Sequence, residues 1–415
     1  TFDGFVSTPS AQVALGQDGR TVTIGDETTH SVASVDVAAM KLGGASTVPE
    51  GSRVVQGAST IAVLDSLAGY LWVGEANRPD AIKYEDTSAI ADGLAGGIVT
   101  VSTGGTVFAY APQYATLTTV TRAGSTWSTT KATLSGMSVG DDLSITAVGD
   151  KPVIYDATTN TLVLPGGRTR ALDADGLAPG AVLQMPGPAS SSVLLATPDS
   201  LVSVPLNGSA PTVTPAQEGT SISGTPAPPA FHQGCAYGAW SSSGAALRQC
   251  ESGLTRYTSV ERLAASKHPL FRVNRTRIVL NDIEKDGLWL PDSDMILVDN
   301  WDQLESKLES EKETEDQSVD DIDNTVAPDR NQDNTPPEAV DDDFGVRAGK
   351  TAILPVLMND SDADGDFMTA SALTQPSLGQ VSVAREGAAL QIAVNKDASG
   401  TSTFDYEVSD GRGGT

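Results

Sequence analysis

The chain has 415 residues, with 53 Asp and Glu against 26 Lys and Arg, for a formal net charge of −27. That balance excludes nucleic-acid backbones as partners, which need clustered Lys and Arg, and disfavours adsorption to an anionic membrane surface. With 41 Gly and 23 Pro, abundant Thr, Ser and Val and few periodic Leu, Glu and Lys runs, the composition excludes a long-helix architecture and points to an all-β chain.

The first residues, TFDGFVSTPS, carry no initiator Met, basic n-region or apolar h-region. No run approaches the roughly 20 apolar residues of a membrane-spanning helix. The expectation is a soluble portion of something longer, with no membrane segment in this stretch.

From Val13 onward one pattern recurs: an apolar run, a turn, a second apolar run. It appears at Val13 to Ile24, Ile61 to Val73, Ile98 to Tyr110, Pro152 to Pro165, Val193 to Pro205, Cys235 to Cys250 and Ile278 to Pro291. Each reads as an antiparallel hairpin. The turns centre near Asp18, Leu67, Gly104, Thr158, Pro198, Ser243 and Lys285, at separations of 49, 37, 54, 40, 45 and 42 residues. One hairpin at such an interval predicts a β-propeller over residues 1–300, seven-bladed, with about 40–50 residues per four-stranded blade; six or eight blades fit if one hairpin is misread or sits outside the ring. Looser segments, such as Ser31 to Leu42 and Tyr114 to Trp127, supply the remaining strands. Phe2 to Val6 is expected to complete a blade begun near Met295.

No Gly-His dipeptide of WD-type repeats occurs, and the single Trp-Asp pair, Trp301-Asp302, lies beyond the hairpin series and does not recur. The one approach to a sialidase Asp box, TRAGSTW (Thr121 to Trp127), has Arg122 where the Asp belongs. Asp65, Glu75, Asp156 and Asp282 are the acidic residues that could face a propeller axis, and each is equally explained as a turn residue. His30, His232 and His268 are scattered without metal-ligand spacing, and no GxSxG elbow marks a nucleophile. No catalytic residue is assigned. Trp72 and Trp289 occupy matching places on the second strand of their hairpins, which favours packing between blades. Trp240 is the better candidate for an exposed binding aromatic, although packing is the stronger reading for it too.

Cys235 and Cys250 are the only cysteines. With a turn centred between Ser242 and Ser243 they face each other across a hairpin, within the reach of a disulfide. A disulfide implies an oxidising, extracytoplasmic setting. The spacing is far from that of a redox-active CxxC pair.

Between Asp282 and Asp343 there are 22 Asp or Glu against 4 Lys or Arg. Within this span Trp301, Leu304 and Leu308 lie at i, i+3 and i+7, predicting a short helix in an acidic linker over 301–335. Ser318 to Thr335 has no periodicity and reads as extended linker.

Alternation returns in Pro336 to Thr415: Ala352, Leu354 and Val356; Val381 and Val383; Leu390, Ile392 and Val394; Phe404, Tyr406 and Val408. Short alternating strands between Gly and Asn/Asp turns predict a β-sandwich. The stretches PPEAVDDDF, ILPVLMNDSDADGDFMT, LGQVSV and GTSTFDYEVSDGRGGT resemble bacterial cadherin-like, VCBS-type immunoglobulin-fold repeats. In such repeats another strand follows DGRGGT, so the resemblance implies an incomplete repeat with more beyond it. The whole layout resembles, more loosely, very large surface proteins of high-GC Gram-positive bacteria with tandem repeats or fibronectin type III domains.

The run Asn359 to Asp366 sets carboxylates at Asp360, Asp362 and Asp364 before Gly365. Such alternation can converge on a hard cation, although an EF-hand would need Glu at position 371, which is Ser371. The resemblance implies Ca²⁺ binding by these loops with the acidic entry run, making Asp342, Asp360, Asp362, Asp364 and Asp366 the candidate ligands. The bland alternative is an acidic turn capped by its own amides.

Two functions compete. The first is an extracellular or cell-surface adhesion protein, a propeller head recognising a glycan or protein, carried on Ca²⁺-stiffened repeats. The second is a polysaccharide-acting glycosidase, or an accessory carbohydrate-binding protein. An enzyme predicts two or three carboxylates with aromatics in a funnel at the axis; a binder predicts a polar or plugged channel without that pairing.

Overall fold

Asp26, Asp65 and Asp156 each end a strand and turn the chain in the same way. Oδ1 accepts from the backbone N–H groups two and three residues on. The acceptor distances are 2.9 and 3.0 Å at Asp26, 2.9 and 2.8 Å at Asp65, and 2.9 and 3.1 Å at Asp156. The residue four places after each, His30, Gly69 and Asn160, takes a φ of 48°, 83° and 48°. All three are types that tolerate the left-handed region. This Asx turn recurs at three points along the N-terminal part of the chain.

The computed structural model describes residues 6, 8, 10, 13–37, 40–124, 126–134, 142–219, 223–282, 287–298, 334–363, 366, 368–384 and 387–415. The chain divides into two compact units, Thr1–Glu305 and Ser306–Thr415.

Among its described residues the first unit is a succession of seven antiparallel sheets. The first holds β1 (Val13–Asp18), β2 (Thr21–Asp26), β3 (Ser31–Asp36) and β4 (Lys41–Thr47); the second holds β5 (Arg53–Gly57), β6 (Thr60–Asp65) and β7 (Tyr70–Glu75). In the third are β8 (Ile98–Val101), β9 (Val107–Ala111), β10 (Thr116–Ala123) and β11 (Thr126–Thr133). The fourth comprises β12 (Leu143–Val148), β13 (Lys151–Asp156), β14 (Thr161–Leu164) and β15 (Arg168–Ala171). The fifth has β16 (Val182–Leu183), β17 (Ser192–Ala196), β18 (Ser200–Pro205) and β19 (Thr212–Pro215). The sixth sets β20 (Thr225–Pro226) and β21 (Ala230–His232) beside β22 (Cys235–Ser241), followed by β23 (Ala245–Cys250) and β24 (Thr255–Ser259). The seventh has β25 (Leu270–Asn274), β26 (Arg277–Asp282), β27 (Gly287–Leu290) and β28 (Ile296–Val298). The one α-helix among the described residues is the single turn Glu261–Ala264.

Strand alternation explains how the sheets stack. On β6, Ile61 and Val63 pack into a cluster with Val32 and Trp72, while Ala62 and Leu64 pack with Val99, Val101 and Val107 of the third sheet. On β17, Val193 and Leu195 face the fourth sheet, and Leu194 and Ala196 face the sixth. A strand covered on both faces reads as an unbroken apolar run, as IAVL and VLLA do. Six such clusters join the first sheet to the second and each later sheet to the next, as far as the seventh.

The first strands are neighbours in space: β1 with β5, β5 with β8, β8 with β12, β12 with β16, and β25 back to β1. Sheets stacked face to face with their first strands around a common axis define a β-propeller. Close approach at that axis needs small residues. A Cβ on Gly57 would meet the Ser102 carbonyl oxygen at 2.2 Å.

The strand expected over Phe2 to Val6 falls on residues 2–5, outside the described residues, and on Val6, which belongs to no strand. Among the described residues the seventh sheet takes its strands from 270–298 and the first from 13–47, and β25 lies against β1. One expectation needs correction. The seven hairpins are all present, but they are not one repeated hairpin. Those at Val13 and Ile98 join first to second strands, whereas the other five join second to third. That phase error made the intervals uneven. The linker helix expected at Trp301, Leu304 and Leu308 lies outside the described residues.

In the second unit β29 (Thr351–Leu354), β32 (Ala389–Val394) and β31 (Gly379–Ala384) form one sheet, and β30 (Thr369–Ala372) pairs with β33 (Tyr406–Ser409) in another. Leu354, Val356, Ala370, Val381, Leu390 and Ile392 make the core between them. The alternation predicted for Leu354, Leu390 and Ile392 is the one that points inward, and Ile353 points out.

Candidate functional site

The ring of first strands encloses a channel with two connected cavities. The larger, about 750 Å³, is walled by β1, β5 and β8, by 142–145 and by Leu270. The smaller, about 340 Å³, reaches Asp18, Gly57, Thr103, Pro188, His232 and Arg275, at the opposite ends of the same strands. Leu15, Gly16, Gln56, Val101, Met185, Pro186 and Arg272 line both and form the waist.

Strand chemistry places the polar groups at this waist. Gln56 ties the first two sheets together. Its Oε1 accepts from Thr23 Oγ1 at 2.6 Å, and its Nε2 donates to the carbonyls of Thr21 and Ala58 at 3.0 and 3.2 Å. Arg272, on β25, donates Nη1 to the Leu15 carbonyl at 3.0 Å, while its buried Nε has no hydrogen-bond partner. Among the described residues no carboxylate pairs with this guanidinium. Burial lowers its pKa from the ordinary arginine value, yet a guanidinium remains charged at neutral pH. His232 is 5% exposed, with Nε2 enclosed and unbonded. Beyond the waist, Asn274 bonds Gly19 twice, accepting from its N–H at 2.7 Å and donating to its carbonyl at 3.1 Å.

None of the four acidic residues considered from sequence lines the channel. Asp65 and Asp156 cap turns, Asp282 accepts from the Ser266 hydroxyl and the Lys267 N–H, and Glu75 pairs with Arg122 on the surface. The carboxylates that do line it, Asp142 and Asp18, belong to opposite cavities. Trp240, weighed above as an exposed aromatic, is 0% exposed and donates Nε1 to the Thr197 carbonyl at 2.7 Å. Trp72 and Trp289 are buried in matching register, opposite Val63 and Leu280. Sequence reasoning missed Arg272 and set His232 aside as one of three scattered histidines. A cation alternating with apolar residues in LFRVN was the available signal.

Cys235 and Cys250 sit directly opposite on β22 and β23 and form a disulfide.

In the second unit the acidic run divides. The Tyr406 hydroxyl lies 3.0 Å from Asp342 Oδ2 and the Val340 carbonyl, 3.3 Å from both Asp360 oxygens, and 3.4 Å from the Val356 carbonyl. One phenol proton therefore serves five acceptors. Burial, with the nearby Asp360 charge added, raises the Asp342 pKa, and burial together with Asp342 pushes Tyr406 well above the ordinary tyrosine value. Asp362 is drawn elsewhere, accepting from the Asp366 N–H at 3.0 Å, and Asp366 pairs with Arg412 at 3.0 Å. Asp364 lies outside the described residues, and among those described no group of three or more acidic, His or Cys side chains is placed to hold a metal.

The class defined here is an all-β protein of two modules, a propeller and an immunoglobulin-like sandwich. Residues 334–415 match the family model described as a bacterial Ig domain. No curated protein sequence matches the chain. Among solved structures the chain is similar to a catalytically inactive variant of virginiamycin B lyase from Staphylococcus aureus with quinupristin. The identity is 12%, over 68% of this chain and 95% of that one, with a TM-score of 0.44. It is also similar to BamB from Moraxella catarrhalis, at 10% identity over 66% and 83% with a TM-score of 0.40. Apo AztD from Citrobacter koseri gives 13% over 69% and 84%, with a TM-score of 0.41. No helix of the described residues is long and apolar enough to cross a membrane.

Proposed function

We propose that this chain is the recognition end of an extracellular or cell-surface interaction protein. Each of the seven sheets is one blade of the head, and the Ig-like unit is a stalk module. The observation that carries the reading is the axial channel itself, whose waist is walled by apolar side chains and holds one guanidinium free to meet a ligand. Hydrolysis of a glycoside would need a second carboxylate facing the first, and Asp142 and Asp18 stand at opposite ends. The hairpin disulfide favours an oxidising setting. A binding screen of the full chain against glycans, cell-wall fragments and surface proteins tests this. Saturable binding lost when the channel is blocked by Ala14→Trp, at an exposed position lining the larger cavity, supports the head; binding to nothing, or turnover of a polysaccharide, refutes it.

Calcium belongs to the same reading, in a narrower form than the sequence suggested. The surplus of acceptors at Tyr406 fits a hard cation held by Asp342, Asp360 and the Val340 carbonyl, whereas the engagement of Asp366 with Arg412 does not fit a ligand role. Bound Ca²⁺ would offset the repulsion of the two carboxylates and stiffen the loop between strands.

A further inference from the structure

We propose that the waist of the axial channel is a carboxylate-binding site, in which Arg272 presents its Nε and Nη2 edge to a small organic acid. The inference rests on reading the propeller as a binding head and names the ligand chemistry of that head. Three observations support it. Arg272 spends Nη1 on the Leu15 carbonyl, which fixes the guanidinium plane and leaves the enclosed Nε unbonded. That side-on edge is a two-donor fork matched to one planar carboxylate. In a chain of net charge −27, the channel reverses the balance: among the described lining residues the three guanidinium groups of Arg53, Arg272 and Arg275 stand against the two carboxylates of Asp18 and Asp142. The size, about 340 to 750 Å³, matches a small-molecule pocket.

The walls narrow the class further. Leu15, Val101 and Met185 suit an acid with an apolar or ring-shaped body. Phosphate is less well matched, because Arg53 and Arg275 are exposed and line different cavities, leaving one buried fork for its several oxygens.

The test uses the full chain, benzoate, its neutral isostere benzamide, and inorganic phosphate. Binding is followed by calorimetry and by the arginine Nε–H resonances of labelled protein. Benzoate is expected to bind and to shift one Nε–H signal, with benzamide inert and phosphate weaker. Arg272→Lys keeps the charge but loses the fork, so benzoate affinity should fall by at least about tenfold. Equal binding of benzamide, preference for phosphate, an unshifted Nε–H signal or undiminished binding by the Lys variant each overturns the proposal. Should that variant fail to fold, the benzoate and benzamide titrations of the unsubstituted chain decide it. A surface ligand that still binds Arg272→Lys would sink this site and leave the head intact. A screen finding no ligand would sink the head, with the benzoate titration still deciding the site.

Discussion

Asp156 is 2% exposed, and its Oδ1 satisfies the N–H groups of Thr158 and Thr159. Asp156→Ala leaves those donors without their acceptor and should cost about 1–3 kcal/mol, measured by urea unfolding, with Asp156→Asn restoring part of the loss. Asp342 acts in the opposite sense. Its folded pKa is raised above 3.8, so its contribution to stability is fully present below that value and is lost as pH rises through the folded pKa. At neutral pH, without calcium, Asp342→Asn should therefore raise the melting temperature of the Ig-like unit, and the gain should vanish below pH 3.8. Calcium should raise the melting temperature of the unsubstituted chain but not of the variant; scanning calorimetry across pH and calcium checks both. At this scale the sequence was a partial guide. It marked Asp342 and Asp360 as acidic neighbours, but Arg412, which claims Asp366, lies 46 residues further on. Packing was the stronger reading for Trp240 and it is the one found, but its hydrogen-bond partner, the Thr197 carbonyl just past β17 in the neighbouring sheet, was not legible from local sequence.

At the scale of elements, alternation and turn residues were enough to find one hairpin in each of the seven sheets, because both are local. Phase was harder to see. First-to-second and second-to-third hairpins look alike in hydrophobicity, and Asp26, Asp65 and Asp156 with an αL-tolerant residue four places on were the markers that could have aligned them. The third sheet lacks the marker: β9 ends at Ala111 and is followed by a short 3₁₀ turn, Pro112–Tyr114. The disulfide was legible because register across one turn follows from counting. Its Cys residues are 15 apart, so loop-closure entropy sets an upper value of about 3 kcal/mol. The hairpin already holds the ends together, so reduction should lower stability by less than that, as melting curves with and without reductant will show.

For the whole molecule the decisive feature is the seam between the seventh sheet and the first. Six pairs of neighbours share an apolar cluster, whereas among the described residues this pair is joined by Arg272 to Leu15 and Asn274 to Gly19. Those bonds bridge 255 or more residues of sequence, which is why no local pattern announced them. Asn274→Ala should cost about 1–2 kcal/mol. Amide hydrogen exchange should then accelerate first in β1 and β25, before the strands of the fourth and fifth sheets.

β28 also has a mechanical meaning. It is the outermost strand of the last sheet and the last described strand before residue 334, and a pull applied at its Val298 end loads its hydrogen bonds to β27 one after another. Stretching the chain from its two ends should strip β28, then β27, at low force, with the middle of the ring rupturing later. A protein anchored through that end would yield gradually under drag, lengthening at one edge while the waist of its wheel kept hold of whatever it had caught.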